Sequence, residues 1–176
     1  KKKKFKTFSQ YWDINLSNKI SKIGKADVIY SANTLSHIEN LENVFKAINV
    51  LLSDNGVLII EDPSLLKCLK NNAYDQFYCE HIYIFSTLSL KKILDPIGLE
   101  IFDIENLKTH GGSNRYYIKK KKNFNFKISS KVESNTSKEI KFGLHKIRSY
   151  KIFASKVKKS KIKLEKIFNN LIKKNK

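Results

Sequence analysis

The order of hydrophobic and polar residues predicts strands and helices in turn along the first half of the chain. Short apolar runs at 26–33 and 57–62 are bounded by polar residues, which predicts two buried parallel strands. Between them, residues 40–56 carry apolar side chains at helical spacing, which predicts an amphipathic helix ended by Gly56. The apolar positions of that helix are Leu41, Val44, Phe45, Ile48, Leu51 and Leu52.

Further elements complete an α/β pattern. Helical spacing and capping residues predict helices within 15–24 and 86–98. Residues 99–107 and 114–120 then alternate as two strands. The connection between these strands is too short for a crossover helix, so we expect them to be antiparallel neighbours. The whole pattern predicts one α/β domain with a mostly parallel sheet over residues 1–121.

The last third of the chain has a different character. Residues 122–137 are polar and rich in Asn and Ser, which predicts a linker. Residues 138–176 are rich in lysine and repeat apolar residues at helical spacing, which predicts a helical segment.

Charge and composition narrow the classes of function. The chain has 176 residues, with 35 Lys+Arg against 16 Asp+Glu and a net charge of +19. Arginine, the usual reader of bases and phosphates, occurs only at positions 115 and 148. We therefore expect no specific nucleic acid partner, although a basic nucleic-acid-associated protein remains an alternative. Apolar runs are too short for a membrane span, and two cysteines fit a reducing, cytoplasmic compartment.

Polar residues gather where the predicted strands end. Asn33 ends the first strand, with His37 four residues later, and Asp62 ends the second. Glu80–His81 and the segment 110–113 follow in later connections. Ligands of open α/β sheets bind at the carboxyl ends of the strands, so these groups are candidates for one site. Each also has an ordinary structural interpretation, as a cap, a tight turn or a satisfied core residue.

The stretch "YDQFYCEHIYIFS", 74–86, allows the same two interpretations, structural and functional. It surrounds the Glu80–His81 pair with aromatic residues, which serve either as plain core or as the wall of a pocket. A histidine titrates near neutral pH, and a neighbouring carboxylate tunes it toward a general base. From the residues alone we expect an α/β enzyme with a His/Glu site.

Three segments resemble known methyltransferases. "ADVIYSANTLSHIENLENVFKAINVLLSDNGVLIIEDP" resembles the second half of a class I S-adenosylmethionine-dependent methyltransferase. "QFYCEHIYIFS" and "LKTHGGSNRYYI" resemble two segments of the sugar C-methyltransferases. The resemblance covers roughly residues 5–121. It implies an incomplete Rossmann-like sheet of parallel strands plus a C-terminal antiparallel strand, followed by a helical tail. It also implies methyl transfer from S-adenosylmethionine to a carbon of a nucleotide-linked keto-deoxysugar, through an enolate formed by a base.

The resemblance also implies roles for particular residues. His81 matches the base that removes the proton next to the keto group, and Glu80 matches the acidic partner that orients it or holds substrate. Tyr78 matches a tyrosine that lines the sugar site and is a candidate donor to the enolate. Asn33 and His37 match residues near the methyl donor and the sugar, so Asn33 is also a candidate cofactor-binding residue. The remaining candidates for substrate binding are His110, Gly111, Gly112, Ser113 and Arg115, of which Arg115 is equally readable as an ordinary strand residue.

Some parts of the family pattern differ or are missing. Cys79 stands where the family has histidine. Nothing before Ala26 supplies the glycine-rich loop and acidic residue that a methyl-donor site needs. The family's N-terminal zinc module, the one place where zinc is expected, and its C-terminal lobe are not in the sequence. We therefore expect a partial chain that binds the methyl donor poorly and is inactive alone. A non-catalytic remnant or partner-binding module stays open as the alternative.

Overall fold

Four strands form one mixed sheet in a computed structural model that describes residues 6–174. The strands are β1 Ala26–Ala32, β2 Leu52–Pro63, β3 Leu99–Leu107 and β4 Ser113–Lys120, in the order β1-β2-β4-β3. β1 is parallel to β2, and β4 is antiparallel to both β2 and β3. This confirms the predicted sheet with its C-terminal antiparallel strand. The outermost residues of the predicted segments, 1–5 and 175–176, lie outside the described range.

Six α-helices accompany the sheet in the described part of the chain. Side chains of Asp13, Asn40 and Ser86 cap the first, second and fourth helices, as their polar character favours. The third helix, which follows β2 directly, was not predicted, because its seven residues are too few to show a clear period. The helices are α1 Ile14–Ser21, α2 Leu41–Leu51, α3 Leu65–Asn71, α4 Thr87–Leu94, α5 Ser130–Phe142 and α6 Ile147–Lys174.

The main core lies on one face of the sheet. Alternate residues of β2 and β4 point to this face and pack under α2, α4 and α5. Burial of these apolar side chains supplies the main driving force for folding and fixes the strand register. Members of this core include Phe45, Leu58, Ile60, Leu90, Tyr116, Ile118 and Val132.

The prediction that β1 is a buried strand is wrong. Val28 and Tyr30 are 61% and 58% exposed. Among the described residues, β1 stands at the edge of the strand order and pairs only with β2. A continuous apolar run therefore does not distinguish a central strand from an edge strand.

Gly56 does not end a helix as predicted. α2 ends at Leu51 and β2 begins at Leu52, so Gly56 lies inside the strand. The pairing of β1 with β2 shifts register here, from Ala26 opposite Leu52 to Val28 opposite Val57. A Cβ at Gly56 would lie 2.8 Å from the carbonyl oxygen of Ala26. Glycine is therefore needed for the close approach of two backbones.

The predicted linker at 122–137 is also partly wrong, because α5 begins at Ser130. The inward positions of α5 are Val132, Asn135 and Glu139, all buried. Two of the three are polar, so the helical period is not visible as a period of apolar residues. Beyond it, α6 confirms the predicted lysine-rich helix. No helix within 6–174 combines the length and apolar character needed to cross a membrane.

Candidate active site

The predicted polar residues lie where β1 and β2 end. Asn33 follows β1 with a φ of 47°, and its backbone N–H donates to the carbonyl of Glu61 on β2, at 2.8 Å. The chain then makes a short 3₁₀ turn, Leu35–His37, which brings His37 over the same edge. This is the edge where open α/β sheets bind ligands.

His81 is held by two hydrogen bonds, one to each ring nitrogen. Nδ1 lies 2.8 Å from the carbonyl oxygen of Gln76, and Nε2 lies 2.9 Å from the hydroxyl of Tyr78. A carbonyl oxygen only accepts, so Nδ1 carries a hydrogen and donates. In the neutral ring Nε2 then accepts from the Tyr78 hydroxyl. The loop therefore selects the tautomer whose Nε2 carries the lone pair, which here accepts from Tyr78.

The rings of Tyr78, His81 and His37 lie in a row and are tilted against one another, by 37° for Tyr78 and His81 and by 51° for His81 and His37. The centroid of His81 lies 4.1 Å from that of Tyr78 and 4.9 Å from that of His37. Tyr83 connects this loop to the 3₁₀ turn. Its backbone N–H donates to the carbonyl oxygen of Ser36, and its hydroxyl donates to the carbonyl oxygen of Glu39. Two segments far apart in sequence thus bring two imidazoles together.

Glu80 does not orient His81. Both ring nitrogens of His81 are already bonded to Gln76 and Tyr78, and the Glu80 side chain is exposed. The expectation that an acidic neighbour polarises this histidine is therefore wrong for the present arrangement, and holding substrate remains the role predicted for Glu80. A backbone carbonyl takes the orienting role, and a sequence pattern does not reveal such a partner.

The glycine turn before β4 reaches the same edge from the other side. His110, Gly111 and Gly112 have φ values of 51°, 74° and 123°. At Gly112 only glycine adopts the observed backbone easily. The Asn33 amide nitrogen lies 3.2 Å from His110 Nε2, which ties the turn to the end of β1.

The two motifs therefore meet on one segment, residues 33–37. The His81 loop contacts it at His37, and the glycine turn contacts it at Asn33. Gly112 and Ser113 are buried within the turn itself, where the Ser113 hydroxyl donates to the Thr109 carbonyl. Their observed contacts hold the shape of the turn.

Arg115 is not brought to this group. Its guanidinium donates to Glu61 and to Glu105, at 3.0 and 2.9 Å, across β2, β4 and β3. Side chains alternate along a strand, so Arg115 lies on the face opposite that of Asn114 and Tyr116. These contacts fit the interpretation of Arg115 as a strand residue, and its place in a substrate pocket stays a prediction.

Asp62 lies at the same edge, and the family resemblance implies no role for it. It ends β2, is 1% exposed, and neither carboxylate oxygen has a hydrogen-bond partner among the described residues. Burial raises its pKa to about 6, against the opposing effects of Ser36 and His37. The sign of this site in the sequence was a charged residue, Asp62, at the end of an apolar strand.

The described residues fit a methyl donor only in part. Asn33 follows β1 and Ser64 follows β2, so no glycine directly follows either parallel strand to let the backbone approach a ligand closely. The Asn33 amide is already bonded to His110. Within 6–174 no group of three or more His, Cys, Asp or Glu residues is placed to hold a metal ion.

Comparison with known proteins identifies related families. Residues 2–104 match the family model described as a methyltransferase domain, and residues 108–176 match the one described as the C-methyltransferase C-terminal domain. The C-methyltransferase NovU of Streptomyces niveus is 33% identical over 90 residues, which is 51% of this chain. The matched part is 21% of that relative's length.

Two solved structures show weaker similarity. A SAM-dependent methyltransferase from Anabaena variabilis is 16% identical, with 62% of this chain and 55% of that chain covered and a TM-score of 0.47. The magnesium protoporphyrin IX methyltransferase of Synechocystis is 19% identical, with 54% and 45% covered and a TM-score of 0.41. The family models carry the assignment, because the first of them spans more than half of the 176 residues. The chain belongs to the methyltransferase domain family, and its second part matches the C-terminal domain of C-methyltransferases.

Proposed function

We propose that this chain carries the sugar-side half of the active site of an S-adenosylmethionine-dependent C-methyltransferase. The observation that carries the proposal is His81, whose tautomer is fixed by Gln76 and whose Nε2 faces the Tyr78 hydroxyl at the ligand-binding edge. The match to the C-methyltransferase C-terminal domain supports methylation of carbon. The substrate that we propose is a nucleotide-linked keto-deoxysugar.

Carbon methylation of a keto sugar requires a base. The C–H bond next to the keto group breaks, its proton moves to His81 Nε2, and its electron pair forms the enolate. Tyr78 is 46% exposed and its hydroxyl lies 2.9 Å from Nε2, so we expect the hydroxyl to relay this proton or to swing aside when substrate binds. Positioned general bases contribute roughly 10²- to 10⁴-fold to such steps.

S-adenosylmethionine, when bound, supplies an electrophilic methyl group for the nucleophilic carbon. The described residues act on the sugar: His81 accepts the proton, and Asn33 with His110 limits the site on the side of β1. The net charge of +19 favours approach of a substrate that carries a diphosphate.

The test is methyl transfer by the full-length gene product. Purified protein would be incubated with methyl-labelled S-adenosylmethionine and a nucleotide-linked keto-deoxysugar, and label in the sugar would be measured. We expect His81→Asn to lower kcat by about 10²- to 10⁴-fold. His145→Asn, at an exposed position between α5 and α6, is the matched control and should keep wild-type turnover. Undiminished turnover in His81→Asn would refute the base assignment.

A further inference from the structure

The enolate oxygen of the proposed reaction needs a hydrogen-bond donor besides the Tyr78–His81 pair. Because His81 Nδ1 donates to the Gln76 carbonyl, the hydrogen between Nε2 and the Tyr78 hydroxyl belongs to the hydroxyl in the neutral ring. That hydrogen already points to the nitrogen that receives the substrate proton. Negative charge that develops on an oxygen is stabilised most by donors held in place beforehand. The other polar side chains at this edge of the sheet are therefore the candidates.

Two residues with an unusual backbone conformation meet at the end of β1. Asn33 and His110 have φ values of 47° and 51°, and they are two of the three non-glycine residues with positive φ in the described chain. The Asn33 Nδ2 atom lies 3.2 Å from His110 Nε2, although the two residues are 77 positions apart. Positive φ is uncommon outside glycine, and such residues cluster at functional sites. The backbone strain thus coincides with a contact between two segments at the ligand-binding edge.

Hydrogen bonds from two other elements hold the turn that carries His110. The Asn71 side chain of α3 donates to the carbonyl oxygen of Gly111 at 3.1 Å. The backbone N–H of Ser64, directly after β2, donates to the carbonyl oxygen of Gly112 at 3.0 Å. The position of His110 is therefore set by the fold rather than by a bound substrate, as a preorganised donor requires.

The contact with Asn33 determines which nitrogen of His110 carries the hydrogen. An amide nitrogen only donates, so Nε2 of His110 accepts, and the neutral ring carries its hydrogen on Nδ1. This contact uses Nε2, which leaves the Nδ1–H group for a ligand, and the side chain is exposed. His81 and His110 thus present different groups at one edge: a nitrogen lone pair and an N–H donor.

Both rings border the segment 33–37. The ring centroid of His81 lies 4.9 Å from that of His37, and His110 contacts Asn33. A keto sugar carries its acidic C–H group and its carbonyl on adjacent carbon atoms. One substrate lying along this segment would therefore offer the C–H group to one ring and the oxygen to the other.

We propose that His110 is a further catalytic residue, which donates a hydrogen bond from Nδ1–H to the enolate oxygen while His81 removes the proton from the adjacent carbon. This inference rests on the proposed function. His110 keeps its hydrogen throughout. The C–H electron pair forms the C=C bond of the enolate, and the π pair of the carbonyl moves to the oxygen. When that carbon is methylated, the C=C pair forms the new C–C bond and the C=O bond is restored.

The tautomer of His110 can be measured without catalysis. In the full-length protein labelled with ¹⁵N-histidine, two-bond ¹H–¹⁵N correlation spectra above the usual titration range of histidine show which ring nitrogen carries the hydrogen. The signals of His110 are those that disappear in His110→Asn. We expect the hydrogen on Nδ1, and we expect Asn33→Ala to give a mixture of tautomers because the amide donor is lost. A hydrogen on Nε2 in the wild-type protein would overturn the proposal.

The catalytic role is tested with two variants that both accept a positive φ. His110→Gly removes the donor, whereas His110→Asn keeps a side-chain N–H close to the position of Nδ1. We expect His110→Gly to lower kcat by about 10²- to 10³-fold, with KM changed less than about 3-fold, because the donor acts on transition-state charge. His110→Asn should retain kcat within about 10-fold of the wild type. Equal losses in the two variants, or wild-type kcat in His110→Gly, would contradict the proposal.

The two levels of the account fail in different ways. If the wild-type full-length protein transfers no methyl group to a keto sugar, the proposed function fails. If the wild-type protein transfers methyl groups while His110 carries its hydrogen on Nε2, only the role of His110 fails.

Discussion

At the scale of single residues, His81 is held by two partners from its own loop. The hydroxyl of Tyr78, which was predicted to line the sugar site, lies 2.9 Å from His81 Nε2. The orienting acceptor is the backbone carbonyl of Gln76, which no residue pattern encodes. Glu80, the partner expected from the sequence, is exposed.

Asp62 should make folding depend on pH. Its pKa rises from 3.8 to about 6 in the folded protein, so the folded state binds a proton more readily than the unfolded state. The associated stability is present below pH 3.8 and is lost as pH rises through about 6. We expect Asp62→Asn to raise the unfolding free energy at pH 7 by about 1–3 kcal/mol, with the gain vanishing toward pH 4.

Urea unfolding at several pH values measures this effect. Asp27→Asn, at an exposed position on β1, is the control and should not reproduce it. A gain for Asp62→Asn that is equal at pH 4 and pH 7 would exclude titration of this carboxyl as the cause.

At the scale of elements, periodicity predicted the long amphipathic helix and the antiparallel pair β3–β4. Periodicity did not predict the positions at which contacts between elements, rather than the local sequence pattern, determine the structure. Gly56 was predicted to end a helix, whereas it lies in β2 at the point where the backbone of β1 approaches closely. The start of α5 could not be recognised from apolar spacing, because the polar residues Asn135 and Glu139 lie on its buried face.

Gly56→Ala should destabilise the fold. The added Cβ would lie 2.8 Å from both the Ala26 carbonyl oxygen and the Leu52 Cδ1 atom, so the β1–β2 contact must shift. We expect a loss of about 1–3 kcal/mol in the free energy of unfolding. Gly24→Ala is the matched control, because its Cβ would meet nothing within 4 Å. Similar denaturation midpoints for the two variants would contradict the close approach.

Glu139 of α5 should stabilise α4, because its side chain caps the N-terminus of that helix. Its two carboxylate oxygens accept from the backbone N–H groups of Thr87 and Leu88, at 2.8 and 2.9 Å, at the start of α4. Burial raises the pKa of Glu139, and these two N–H groups oppose that rise. Removal of the carboxylate leaves two buried donors unpaired.

We expect Glu139→Ala to cost about 2–4 kcal/mol of unfolding free energy. Glu133→Ala, at an exposed position on α5, should change it by less than about 0.5 kcal/mol. Thermal or urea unfolding of the two variants checks this. Equal stabilities would show that α4 does not depend on the cap.

At the scale of the whole molecule, the alternation of strands and helices predicted the mixed sheet, and the sheet edge then brought distant motifs together. The glycine turn and the His81 loop both reach residues 33–37, because β1, β2 and the start of β4 share that edge. The exposure of β1 was not predictable, since neighbour order is a tertiary property. The ion pairs of Arg115 with Glu61 and Glu105 were likewise not predictable, because they depend on strand register.

The central claim is that His81 removes a proton from the carbon next to the keto group. Its most direct test is hydrogen exchange at that carbon, followed by NMR in D₂O with the full-length protein and a nucleotide-linked keto-deoxysugar. Wild-type protein should exchange this hydrogen, and His81→Asn should slow the exchange by about 10²-fold or more while substrate still binds. Exchange at the wild-type rate in His81→Asn would contradict the account.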